Sequence, residues 1–141
     1  AVAERMAHVL GLLGSEHALI VHGNDGMDEL TLTDASRAWE LTGEGVSSYQ
    51  VTPESVGLSR ADVGTLLAPT AERSAEIARA VLAGQPGAAR DVVLMNAAAA
   101  LQVAGVAGSL KDGVQLAARS IDSGEAARGL ERLAALTQTI E

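Results

Sequence analysis

Ala18-Leu19-Ile20-Val21-His22-Gly23-Asn24-Asp25-Gly26-Met27-Asp28-Glu29-Leu30 is the stretch that decides the fold. Ala18 to Val21 is a short apolar run with no polar interruption, and Gly23 bounds it, so it reads as a strand buried on both faces. Gly23 to Glu29 reads as a loop from its Gly, Asn and Asp content. Upstream, Val2, Met6, Val9, Leu10 and Leu13 recur at helical spacing, and Gly14 stands where a C-terminal cap would. A helix feeding a buried strand is the repeating unit of α/β proteins. In open sheets of that class, ligands bind outside the carboxyl ends of parallel strands. If Ala18 to Val21 is such a strand, the acidic loop lies where a ligand would bind.

Downstream, Leu30 to Thr33, Arg37 to Leu41 and Val46 to Thr52 read as three further strands, with Thr42-Gly43-Glu44-Gly45 as a hairpin turn. Residues 53–141 read as helical. Thr52 caps a short turn opened by Pro53. Thr70 caps a helix that runs to about Ala83 and carries Ile77, Val81 and Leu82 on its apolar side. The Gly84–Gly87 stretch breaks it. A second helix runs from about Ala88 to Ala104, and a third opens at Ser109 and ends at Ser123-Gly124. Leu130, Leu133 and Leu136 mark a fourth. The whole, 1–141, is expected to be one domain: helix and strands over 1–52, mainly helices over 53–141.

Composition narrows the chemistry. The 141 residues include no cysteine, which excludes thiolate catalysis and Cys-ligated metals. A formal net charge of −8 argues against a nucleic-acid partner. One tryptophan, one tyrosine and no phenylalanine leave no stacking platform for bases. Abundant alanine predicts helices packed closely around small side chains. The uncharged run from Val92 to Leu110 holds Asn96 and Gln102 and reads as a buried helix and turn, not a membrane span. No targeting segment is visible over Ala1 to Gly14, so a cytoplasmic protein is expected.

Few residues can carry chemistry. Asp25, Asp28 and Glu29 place three carboxylates within five positions, and Gly23 and Gly26 let the backbone turn sharply. One or two carboxylates completed by waters and substrate phosphates are a common way to hold Mg²⁺. The same residues also suit a solvated turn in which Asp25 or Asp28 bonds backbone amides. His22 could move a proton or could be packed and bonded to a loop carbonyl. His8 and His17 read as surface or boundary residues. Arg90 and Asp91 open the second long helix. Asn96, in an apolar helix, needs a hydrogen-bond partner on a neighbouring helix or loop. There is neither a Gly-x-Ser-x-Gly setting nor a phosphate-cradling glycine motif.

Four separated segments resemble the anthranilate phosphoribosyltransferases, enzymes of tryptophan biosynthesis. The first is His22-Gly23 followed by Gly26-Met27-Asp28-Glu29, similar to the family's His-Gly and Gly-Leu-Asp-Glu, with Met27 for leucine. The second is Arg90-Asp91-Val92-Val93-Leu94-Met95-Asn96 with the alanines up to Leu101. The third is Ser109-Leu110, Gly113-Val114 and Leu116-Ala117, leading to Ile121-Asp122-Ser123-Gly124. The fourth is Thr52-Pro53-Glu54 with Gly57-Leu58.

The resemblance implies an α/β fold: the C-terminal portion of a phosphoribosyltransferase/nucleoside-phosphorylase-like domain. In it a buried strand and an antiparallel ribbon precede a helical C-terminal half. It implies a parent enzyme that transfers the phosphoribosyl group of phosphoribosyl pyrophosphate (PRPP) to the anthranilate amine. It implies Mg²⁺ as cofactor, held by Asp28 and Glu29, and a homodimer at full length. The family's Gly-Thr-Gly-Gly-Asp and Lys-His-Gly-Asn segments have no counterpart in this chain. The chain alone is therefore expected to be an inactive, incomplete part of the catalytic domain, and to need the N-terminal part of the same protein. No catalytic residue is assigned on it, and its substrate-binding residues are unknown. Two other readings stand beside this one: a non-catalytic metal- or phosphate-binding or assembly domain, and a related nucleoside phosphorylase.

Overall fold

A computed structural model describes residues 2–139. The chain runs α1 (Val2–Leu12), β1 (Ala18–Gly23), β2 (Ser36–Thr42), β3 (Gly45–Val51), two 3₁₀ turns (Glu54–Val56 and Val63–Leu66), then α2 (Ala71–Leu82), α3 (Ala88–Val103), α4 (Leu110–Asp122) and α5 (Glu125–Thr137). Among the described residues the three strands all end by Val51, and the two 3₁₀ turns and four α-helices follow them.

The sheet differs from expectation in two ways. Its three strands lie in the order β1-β2-β3 and are antiparallel, with Ile20 opposite Trp39 and Ala38 opposite Tyr49. Thus β1 is not paired in parallel with any described strand, and it is only partly buried. Burial on both faces belongs to the middle strand β2, where Ala38, Trp39 and Leu41 are all buried. Leu41 meets α1, since a Cβ on Gly11 would lie 3.1 Å from its side chain. Ala38 belongs to the main core with Leu94, Met95 and Ala98 of α3.

Leu30 to Thr33 is not a strand. Leu30 and Leu32 are fully buried, and so is Thr31 between them. Their backbone groups bond side chains and a distant loop in place of a ladder. Leu30 N–H donates to Asn96, Thr31 N–H to the Ser36 hydroxyl, and Ala61 N–H to Leu32 C=O. The alternating pattern is real, but the segment plugs the core and adds nothing to the sheet.

The helical caps follow the sequence. Thr70 accepts from Arg73 N–H at 3.1 Å, and Ser109 accepts from Asp112 N–H at 3.1 Å. Thr52 accepts from Ser55 N–H at 3.3 Å, although the turn itself begins at Glu54. Small residues set the α3–α4 spacing, as alanine content predicts. A Cβ on Gly113 would lie 2.8 Å from Cα and Cβ of Ala98. Arg90 at the start of α3 pairs with Asp122 at the end of α4 at 2.7 Å. Among the described residues, no helix is long and apolar enough to cross a membrane.

Candidate functional site

The acidic loop is tied from within. Asp25 Oδ1 accepts from Met27 N–H at 3.1 Å, and Oδ2 accepts from the Thr31 hydroxyl at 2.7 Å and from the Thr33 hydroxyl. Gly23 N–H donates to Met27 C=O at 2.9 Å, and Asn24 N–H to Ala35 C=O at 2.9 Å. Any side chain on Gly23 would collide with this knot, because its Cβ would lie 2.4 Å from Asp25 Oδ1 and 3.0 Å from Thr31 Cγ2. Burial raises the Asp25 pKa, but the bonds from Thr33, Thr31 and Met27 outweigh it and hold the carboxyl below its ordinary range. The turn-forming role therefore falls to Asp25, both of whose oxygens are engaged.

Asp28 and Glu29 differ. Neither makes a hydrogen bond or ion pair among the described residues. Asp28 is exposed and Glu29 half-buried. Glu29 borders an apolar hollow of about 390 Å³, lined also by Met27, Leu66, Ile77, Val81 and Val92. Burial, and then the neighbouring Asp28 charge, push its carboxyl above the usual range. Two adjacent carboxylates that the protein leaves unbonded, one held up by burial and then by its neighbour's charge, fit a hard cation chemically. No group of three or more His, Cys, Asp or Glu residues positioned around an ion occurs among the described residues. A cation here would take its remaining oxygens from water and from the ligand it serves.

The other candidates divide plainly. His22 is exposed, opposite Arg37 across the ladder, and its ring has no hydrogen-bond partner among the described residues; the packed histidine bonded to a loop carbonyl is not what forms. His17 is more engaged than a boundary residue: its Nε2–H donates to Glu40 Oε1 at 2.8 Å. Gln102 donates to the same oxygen at 3.1 Å. Asn96 meets its expectation of a structural partner on a loop. Its Oδ1 accepts from Leu30 N–H at 2.9 Å, and its Nδ2 donates to Leu30 C=O at 2.8 Å and to Val92 C=O at 3.0 Å. Asp91 is half-buried, and burial raises its pKa despite Arg90 beside it. Sequence reasoning missed the hydroxyls of Thr31 and Thr33, whose role depends on a fold-back that no local pattern announces. It also missed Glu40 and Tyr49. Burial and then the nearby Glu40 charge push the Tyr49 phenol up to about 12.

Residues 1–127 match the model of the glycosyl transferase family, a/b domain. An anthranilate phosphoribosyltransferase of Symbiobacterium thermophilum is 49% identical over 139 residues, which are 99% of this chain and 41% of that protein. One from Citrifermentans bemidjiense is 47% identical over 140 residues, 99% of this chain and 40% of that protein. The chain thus spans about two fifths of the length of the curated relatives it matches. Among solved structures, the anthranilate phosphoribosyltransferase of Thermus thermophilus superposes with a TM-score of 0.84 at 41% identity, covering 95% of this chain and 39% of that one. That of Saccharomyces cerevisiae, solved in complex with PRPP and Mg, gives a TM-score of 0.81 at 27% identity over 92% of this chain and 38% of that one.

Proposed function

The chain belongs to the glycosyl transferase family, a/b domain, and from that premise we propose that the protein carrying it is an anthranilate phosphoribosyltransferase of tryptophan biosynthesis. Within it, Asp28 and Glu29 hold Mg²⁺. The observation that carries this reading is the unbonded Asp28–Glu29 pair at the end of a tied loop, together with the yeast relative solved with PRPP and Mg.

In the reaction proposed, the anthranilate nitrogen forms a bond to C1 of the ribose as the bond from C1 to the pyrophosphate oxygen breaks. Pyrophosphate takes that electron pair, and the nitrogen loses a proton. Bound Mg²⁺ supplies charge compensation for the pyrophosphate. This chain's residues contribute position. Gly23 and the Asp25 knot fix the loop at the end of β1. Asp28, exposed, and Glu29, on the rim of the apolar hollow, offer their oxygens without competition from the protein's own donors. Leu66, Ile77 and Val92 line the apolar side of the hollow that Glu29 borders, and apolar surroundings strengthen a carboxylate's attraction for a cation.

The test is phosphoribosyl transfer by the full-length protein. Asp28→Asn/Glu29→Gln is expected to lower kcat/KM for PRPP by at least about 100-fold, the scale of losing one charge-stabilising element. Unchanged turnover in the double variant contradicts the reading. The 141-residue chain by itself is expected to form no product.

A further inference from the structure

Asp28 and Glu29 are strung between two fixed points, and each point is held differently. On one side is Met27, whose N–H is bound by Asp25 and whose C=O is bound by Gly23 N–H. On the other is Leu30, whose N–H and C=O both bond the Asn96 side chain, at 2.9 and 2.8 Å. Asn96 comes from the middle of α3, 66 residues away in sequence. Its amide cannot turn over, because only the oxygen can accept from Leu30 N–H and only the nitrogen can donate to Leu30 C=O. The second amide hydrogen is fixed by Val92 C=O at 3.0 Å. The amide therefore copies the two-bond pairing of a strand neighbour, at one residue only. Leu30 is fully buried, so without that partner its backbone polar groups would lack a bond in the core.

We propose that Asn96 is a positioning residue for the carboxylate pair: by clamping the Leu30 backbone to α3 it sets the direction in which Asp28 and Glu29 present their oxygens to a divalent cation. This rests on the reading that the pair holds the cation. Groups behind the direct ligands commonly change metal affinity by about 10–100-fold. Among the described residues Asn96 makes no hydrogen bond to either carboxylate, and it acts through one backbone unit.

The experiment counts free Mn²⁺ by electron paramagnetic resonance in solutions of the full-length protein with PRPP present, against a protein-free PRPP blank, at a temperature where every variant is folded by circular dichroism. Asn96→Ala is expected to raise the Mn²⁺ dissociation constant about tenfold. Asn96→Ser, neutral and still polar, gives the same direction if the alanine variant does not fold. Ile121→Ala, which truncates a buried α4 side chain and leaves both Asn96–Leu30 bonds in place, serves as a control for stability loss and is expected to leave the constant unchanged. If Asp28→Asn/Glu29→Gln removes binding while the folded Asn96 variants bind within twofold of the parent, the positioning role is wrong and the cation reading stands. If the double variant binds Mn²⁺ as the parent does, or the parent binds none, the cation reading fails and this inference fails with it.

Discussion

Asp25 and Asp28 are the same residue type three positions apart, and their surroundings give them opposite tasks. Asp25 accepts from a backbone amide and two threonine hydroxyls, whereas Asp28 accepts from nothing among the described residues. The consequence for Asp25 can be measured as acid sensitivity. Its folded pKa lies below the ordinary 3.8, so its bonds contribute stability that is present above the unfolded value and is lost as pH falls through the folded one. Urea unfolding is expected to show stability falling below about pH 4, with Asp25→Asn flattening part of that fall. An unchanged pH profile would contradict the assignment. Removing the carboxylate altogether, in Asp25→Ala, is expected to cost about 1–2 kcal/mol, the lower part of the range for charged hydrogen bonds because the group is exposed. At Gly23 the problem is space, not charge. An alanine Cβ must displace an Asp25 oxygen already bonded to Met27, so Gly23→Ala is expected to weaken cation binding as well as stability.

Elements built from local signals were legible in the sequence. The caps Thr70 and Ser109 and the glycine-ended helices follow from rules about neighbouring residues. What was not legible depends on partners distant in the chain. Ala18 to Val21 reads as doubly buried because an apolar run carries no information about which strands lie beside it, and β2 takes that place in the sheet. Leu30 to Thr33 alternates like a strand, yet Asn96 and Ser36 occupy the bonds a ladder would need. That Asp25 would be tied back by the Thr31 and Thr33 hydroxyls could not be read from its neighbours in the chain. At α3 and α4 the close approach of Gly113 to Ala98 gives a sharp expectation. Alanine at 113 would gain about 1 kcal/mol of helix propensity over glycine. A Cβ 2.8 Å from backbone must push the helices apart, and overpacking of this kind typically costs about 1–3 kcal/mol or more. Gly113→Ala is therefore expected to lower the denaturation midpoint; a raised midpoint would mean the helices yield easily.

At the scale of the molecule, α1 and the residue that follows it carry Val2, Met6, Val9, Leu12 and Leu13 on the outside, each more than half exposed, and β1 has a partner on one side only among the described residues. Apolar patches and open strand edges of this kind drive association. The 141-residue chain is expected to self-associate with rising concentration in light scattering, and a sharp monomer signal across a wide range would contradict that. The central claim concerns the carboxylate pair and is tested most directly by calorimetry. Mg²⁺ is titrated into the full-length protein with PRPP present, beside Asp28→Asn/Glu29→Gln. The account predicts metal-dependent binding that the double variant loses; equal binding by both proteins would contradict it.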